Sequence, residues 1–159
     1  MRVDGTFGPG PRAWSGGRWA SVADEHSKVD VAGLEVLSDD ECRRLLANAG
    51  VGRVALPGEP PTIRPVNFAF DVDKIVIRTG AGALWSAACR SVRVTFEVDG
   101  VRNVDHRGWS VLASGPLVPQ PADAGVLALP LRAWAPEGRD RFVAVTVEQL
   151  SGRRLPGHR

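Results

Sequence analysis

The chain has 159 residues, of which 43% are hydrophobic and 24% charged, and its formal net charge is +2. This composition is typical of one globular domain with a single core, and the length leaves no room for a second full domain. The small net charge argues against a nucleic-acid partner, the lack of a long apolar run argues against a membrane span, and the lack of a signal-peptide pattern predicts a cytoplasmic protein.

The first 33 residues differ from the rest of the chain, because glycine and proline crowd them and no strand or helix period survives. We therefore predict a flexible leader over residues 1–33, a folded domain over 34–155 and a short C-terminal tail over 156–159. The basic residues within 151–159 are expected to lie in solvent.

The predicted domain begins with a short alternating segment at 34–37 and a helix over 39–48. Ser38 and Glu41 form a capping-box pattern at the start of this helix, and apolar residues follow at helical spacing. Alternation then predicts six strands and two short helices. The strands are at 51–56, 62–70, 75–79, 92–98, 108–118 and 142–147, and the helices are at 83–90 and 121–128. Because short turns join most strands, the expected fold is mainly β, a split barrel of about six antiparallel strands with peripheral helices.

Familiar catalytic motifs do not occur in the sequence. It has three histidines, none in an HExxH arrangement, and no GxSxG, GxGxxG or P-loop motif. Cys42 and Cys89 lie far apart, with no further ligand at metal-binding spacing, so we predict neither a disulfide nor a metal site. No side chain stands out as an acid or a base, and the catalytic residues stay unassigned. An enzyme with this sequence would depend on a bound cofactor for its chemistry.

The predicted second strand contains a segment that suits a flat heterocycle. It combines a cation, an imide ring, an amide and an aromatic side chain in Arg64, Pro65, Val66, Asn67 and Phe68. Because proline has no N–H, Pro65 is expected at a strand edge or a bulge. A strand whose backbone is only partly paired can offer free N–H and C=O groups to a ring system.

The predicted third strand ends in a glycine-containing turn that leads into a helix. This turn reads Arg78, Thr79, Gly80, Ala81 and Gly82. Backbone N–H groups at such a turn favour an anion, and Arg78 and Thr79 could complete a phosphate site. The alternative is a structural turn that binds no ligand.

The run from Leu34 to about Leu155 resembles the pyridoxamine 5′-phosphate oxidase-like proteins, which have the FMN-binding split-barrel fold. Six motifs occur in the same order as in that family: VGRV at 51–54, RPVNF at 64–68, IRTGAG at 77–82, FEVD at 96–99, GWSVL at 108–112 and RAWAP at 132–136.

The resemblance implies an FMN-dependent oxidoreductase that acts on a small organic substrate as a homodimer, with the flavin at the subunit interface. It places the flavin ring beside the strand from Arg64 to Phe68 and the phosphate at residues 78–84. It also places Trp109 and Trp134 near the interface, where Trp134 would reach the partner's site.

One departure from the family pattern concerns the phosphate. The family has Ser-Lys-Leu after the last glycine of the turn, whereas this chain has Ala-Leu-Trp at 83–85. The missing hydroxyl and ammonium groups leave two alternatives open. One is a non-catalytic flavin- or ligand-binding module. The other is a deazaflavin-dependent reductase with a basic groove lined by Arg132, Arg139 and Arg141. His106 as a haem ligand is a further alternative, beside the simpler interpretation of a solvent-exposed loop histidine.

Overall fold

The computed structural model describes residues 29–102, 104, 107–131, 138 and 140–155. Of the predicted leader, residues 29–33 therefore belong to the described part. The elements follow one another as β1 (Glu35–Val36), α1 (Asp39–Asn48), β2 (Val51–Leu56), β3 (Thr62–Asp71), β4 (Lys74–Thr79), α2 (Ala83–Cys89), β5 (Arg93–Arg102), β6 (Arg107–Gln120), α3 (Ala124–Ala128), β7 (Arg141–Thr146) and β8 (Gln149–Leu155).

The strands form one sheet in the order β1-β8-β6-β5-β2-β3-β4-β7, and β7 also pairs with β6. The strand pairs in this sheet are antiparallel. The last four residues of β6, from Leu117 to Gln120, make the pairing with β7. The strands β6, β5, β2, β3, β4 and β7 therefore close into a barrel, and β8 and β1 extend the sheet beyond it. The predicted mainly β fold with a barrel of about six antiparallel strands is confirmed.

Helix α1 begins where the capping-box pattern predicts. The Ser38 Oγ accepts a hydrogen bond from the Glu41 N–H at 3.3 Å, and the Glu41 carboxylate accepts one from the Ser38 N–H at 3.2 Å. Cys42 and Leu46 are four residues apart and point to the same side of the helix. Both are completely buried in the barrel core, so this face attaches α1 to the barrel.

The main core fills the barrel with alternate residues of its strands. Val54, Phe96, Val111 and Val145 have no exposed surface. The Phe68 ring meets the Phe96 ring edge to face, with centroids 4.8 Å apart. A smaller cluster lies on the outer side of β4 and β7, where α3 covers it, and consists of Val76, Val126, Phe142 and Ala144.

The C-terminal residues differ from the prediction of a basic tail in solvent, because residues 151–155 belong to β8 and pair with β6. This strand is difficult to recognise in the sequence because its inward-facing residue is Gly152, which has no apolar side chain. An added Cβ on Gly152 would lie 2.6 Å from the Cys42 Sγ. Close packing of the backbone against α1 therefore replaces the hydrophobic alternation by which a strand is recognised.

Two arginines of β8 are ion-paired rather than solvated alone. Arg153 binds the Asp30 carboxylate at 2.7 Å, and Arg154 binds Glu35 at 3.1 Å and Glu41 at 3.3 Å. These contacts join the last strand to the segment that enters the domain.

The remaining element boundaries differ from the predictions by a few residues. Strand β5 extends to Arg102 and β6 to Gln120, beyond the predicted ends at 98 and 118, whereas α3 begins at Ala124 rather than 121. Among the described residues, none of the helices has the length and apolar character needed to cross a lipid bilayer.

Candidate functional site

Strands β3 and β4 pair with each other over only part of their lengths. The ladder between them stops at the pair formed by Phe68 and Ile77. Beyond this pair, β4 continues beside β7 as far as Thr79, whereas the N-terminal half of β3 continues beside β2. The two strands therefore diverge, and a gap opens in the barrel wall.

A cavity of about 430 Å³ lies in this gap. Residues 63–66 of β3, residues 78–84 between β4 and α2, and Gly138 line it. Its volume falls within the usual range of small-molecule sites. The cavity brings together the two predicted segments, with Arg64, Pro65 and Val66 on one side and Arg78, Thr79, Gly80 and Gly82 on the other.

Pro65 lies in the middle of β3 at a position where an N–H is not needed. The Phe68 N–H donates to the Gly50 carbonyl at 3.2 Å, so Phe68 directs its backbone groups toward β2. Successive residues of a strand direct their backbone groups to opposite sides, so Pro65 and Asn67 direct theirs toward the gap. The expectation that Pro65 occupies an edge fits this arrangement, and the Pro65 carbonyl faces the cavity side.

The cavity lining carries positive charge. Arg64 and Arg78 line it, and none of the described lining residues is acidic. Within the described part of the chain, Arg64 has no hydrogen-bond or ion-pair partner. The Arg78 guanidinium carbon lies 5.8 Å from the centroid of the Phe142 ring. Thr79 is 9% exposed, and its hydroxyl donates to the Gly80 carbonyl at 3.4 Å. The charged residues of the described lining are therefore both basic.

The two glycines of the turn have different surroundings. An added Cβ on Gly80 would lie 2.6 Å from the Gly138 carbonyl oxygen, whereas a Cβ on Gly82 would meet nothing within 4 Å. Gly80 therefore permits close packing of the segment that precedes β7, and Gly82 faces open space. Gly82 is also the N-cap of α2, which spans seven residues. Because α2 is so short, we assign the positive charge of the cavity to the arginines.

The two residues that replace the serine and lysine of the family pattern lie on different sides of α2. Ala83 is exposed and lines the cavity, where it offers no hydroxyl group. Leu84 is 7% exposed and belongs to the barrel core. A polar contact to a ligand therefore cannot come from either side chain, and the charge has to come from other residues.

Three described residues that were predicted to bind the flavin do not line the cavity. Phe68 is 3% exposed and packs in the core, and the Asn67 side-chain N–H donates to the Gly50 carbonyl at 3.4 Å. Trp109 lies near the start of β6, where an added Cβ on Gly100 would be 2.6 Å from its Nε1. Outside the described residues lie Trp134, Arg132, Arg139 and His106.

Two lining residues, Ile63 and Gly138, lie outside the predicted segments, whereas Ala81, Ala83 and Leu84 fall within the predicted phosphate segment 78–84. Ile63 directly precedes the predicted segment 64–68, so its proximity in sequence was an available signal. Gly138 has no such signal, since only the return of the chain into β7 brings it to Gly80. In the described part of the chain, no group of three or more His, Cys, Asp or Glu side chains is placed to hold a metal ion.

Comparison with known proteins identifies similar chains. Residues 38–154 match the family model for pyridoxamine 5′-phosphate oxidase. The FAD-binding protein of Mycobacterium smegmatis is 32% identical, with a TM-score of 0.61, over 76% of this chain and 98% of that one. A putative pyridoxamine 5′-phosphate oxidase of Corynebacterium glutamicum is 25% identical, with a TM-score of 0.66, over 79% and 96%. An FAD-binding protein of Mesorhizobium loti, 24% identical with a TM-score of 0.64 over 77% and 98%, shares the fold. No curated protein matches significantly.

Proposed function

The chain belongs to the pyridoxamine 5′-phosphate oxidase family, and from this premise we propose that it binds a flavin phosphate in the cavity between β3 and β4. The observation that carries the proposal is the lining of this cavity. It combines Arg64, Arg78 and the backbone edge of β3, and no described lining residue is acidic. The 32% identity to an FAD-binding protein supports the choice of a flavin.

The two sides of the cavity suit the two ends of such a ligand. Arg78 and Thr79 lie at the turn where the family resemblance places the phosphate. A hydrogen bond from a guanidinium group to a phosphate contributes about 1.5–3 kcal/mol. The edge of β3 offers the Pro65 carbonyl and the apolar surface of Val66 to a ring. Arg64 adds a charge that no described side chain neutralises.

FMN is the flavin that we propose, and the chain would use it as an oxidoreductase on a small organic substrate. A bound flavin supplies hydride and electron transfer, while the chain holds the phosphate, orients the ring and limits access of water. FAD is a second candidate, favoured by the relative in Mycobacterium smegmatis. Its additional nucleotide would have to extend beyond the cavity.

Titration of the purified protein with FMN, FAD, riboflavin and a deazaflavin tests the proposal, with flavin fluorescence as the signal. We expect micromolar or tighter binding of FMN or FAD, and about tenfold or more weakening in Arg64→Ala. Arg44→Ala is the matched control, because Arg44 is an exposed arginine on α1 away from the cavity. Binding of the deazaflavin alone would replace the flavin proposal. Binding of no cofactor would refute it.

We further propose that the chain is a homodimer and that the cavity lies beside the subunit interface. One row of side chains crosses the outer face of the sheet, from β8 through β6, β5 and β2 to β3. The row consists of Ser151, Leu112, Glu97, Arg53 and Pro65. The buried side chains of α1 and α2 belong to the core and those of α3 to the opposite wall. The described helices therefore leave this face uncovered.

The outer face is continuous with the cavity, because Pro65 belongs to both. Two apolar side chains stand on it in addition, Leu112 with 46% of its surface exposed and Ile63 with 64%. A second copy that covers these residues would also cover one side of the ligand site.

A pair of leucine substitutions tests the dimer. Leu112→Arg, in the middle of the outer face, should shift the protein toward a monomer in sedimentation velocity. Leu127→Arg is the control, since Leu127 is 64% exposed on α3, on another wall of the barrel. Equal effects of the two substitutions, or a monomeric wild type, would contradict the proposed interface.

A further inference from the structure

A cation that is absent from the cavity lining lies against the helix beside it. The Arg141 guanidinium carbon is 4.6 Å from the centroid of the Trp85 ring, within the range of a cation–π contact. Arg141 is the first residue of β7, and Trp85 follows the lining residue Leu84 on α2. The contact therefore gives a long side chain a fixed direction next to the site.

The strand register places the Arg141 side chain on the same side of the sheet as the Thr79 side chain. Its partner across the β4–β7 ladder is Thr79, which lines the cavity. Side chains of paired residues point to the same face. Arg141 also comes soon after Gly138, which forms part of the cavity wall. Both neighbours place the Arg141 backbone next to the cavity.

The charge of Arg141 is only weakly compensated among the described residues. Its recorded ion-pair partner is Asp140, with an N–O distance of 3.9 Å and a side chain that is 81% exposed. Such a long, exposed pair contributes little. Arg53 shows the contrast, because Glu97 and Asp99 hold its guanidinium at 2.7 and 2.8 Å. The Arg141 guanidinium therefore remains available to an anion.

We infer that Arg141, directed by Trp85, binds the phosphate of the ligand in this cavity. Its guanidinium group would supply the positive charge that the lysine of the family pattern carries at position 84. The inference rests on the proposed function. Trp85 acts as a positioning residue, because its ring fixes the direction of the guanidinium group. The family pattern has leucine at this position, so the aromatic ring and the missing lysine occur next to each other in this chain.

FMN and riboflavin differ by the phosphate alone, and their comparison tests the inference. Arg141→Gln and Trp85→Leu should each raise the Kd for FMN about tenfold or more and leave the Kd for riboflavin unchanged. Trp85→Phe keeps an aromatic face and should retain most of the affinity for FMN. Arg44→Gln removes an exposed arginine from α1 and should change neither Kd.

Other outcomes separate this inference from the proposed function. Equal weakening of FMN and riboflavin, or no change in either, would overturn the role of Arg141 and leave its contact with Trp85 as a structural one. The melting temperature of each variant reports folding, and Arg141→Lys provides a milder change if Trp85→Leu fails to fold. If the wild type binds none of FAD, FMN and riboflavin, both the proposed function and this inference are refuted.

Discussion

Replacement of Gly80 by alanine tests whether the segment that precedes β7 forms a wall of the cavity. In the structure an added Cβ would lie 2.6 Å from the Gly138 carbonyl oxygen, whereas ordinary contact begins at 3.4 Å. The neighbouring atom belongs to the backbone, so no side-chain rotation can relieve the overlap. Either the turn or the segment with Gly138 has to move.

The expected cost of this overlap is about 1–3 kcal/mol, the usual range for overpacking. If the two segments hold their positions, the cost appears as lost stability, and the melting temperature should fall by about 3–10 °C. If the segment with Gly138 moves away, the cost appears at the ligand site. The Kd for the flavin should then rise about five- to a hundredfold. Differential scanning fluorimetry and flavin titration of the same samples measure both effects.

Two other glycine substitutions provide a control and a comparison. Gly50→Ala adds the same methyl group at an exposed site with nothing within 4 Å, and it should change neither quantity. Gly82→Ala adds a methyl group that meets no protein atom, so we expect a loss of ligand affinity with little loss of stability. If Gly80→Ala matches Gly50→Ala in both measurements, the packing of Gly138 on the turn has no role in the site.

Two further predictions concern titratable groups. Hydrogen bonds from the Leu34 N–H and Arg153 hold the pKa of Asp30 below its ordinary value of 3.8. The Asp30 carboxylate therefore stabilises the fold above that pH, and this stabilisation is lost as the pH falls through the lowered pKa. Asp30→Asn should therefore lower the melting temperature at neutral pH, and a difference that failed to shrink below about pH 4 would contradict this reasoning. Burial raises the pKa of the Cys42 thiol, whereas Cys89 is exposed, so iodoacetamide should label Cys89 alone in the folded protein. Mass spectrometry of the labelled peptides measures both rates, and labelling of Cys42 as fast as that of Cys89 would contradict this prediction.

The parts of the fold that local chemistry encodes could be predicted from the sequence. Ser38 and Glu41 specify the start of α1 through backbone groups within one turn, and the hydrogen bonds form as the pattern predicts. The strands with apolar alternation were found for the same reason, since most of their inward residues are themselves apolar. The turn after Thr79 was also recognisable, because its glycines mark the end of β4.

The parts that depend on distant contacts could not be predicted in this way. β8 carries Gly152 where a strand usually carries an apolar residue, and the reason is Cys42 of α1, which lies far away in sequence. Gly138 reaches the cavity for a similar reason, through its contact with Gly80. Arg141 was predicted only as part of a basic groove for a deazaflavin, and its contact with Trp85 depends on how β7 passes α2.

The cavity itself follows from the divergence of β3 and β4 combined with the closure of the barrel. The ladder between β3 and β4 stops at Phe68 and Ile77, and Pro65, which has no N–H to donate on the side that faces the gap, offers no hydrogen bond that would extend it. Strand β4 instead keeps its pairing with β7 up to Thr79. The barrel remains closed through β6 and β7, and the opening is confined to the place where β3 leaves β4. Arg64 and Arg78 flank this opening from the two diverging strands. Because β3 pairs with β2 and β4 pairs with β7 on the two sides of this opening, both arginines border one cavity instead of a paired sheet.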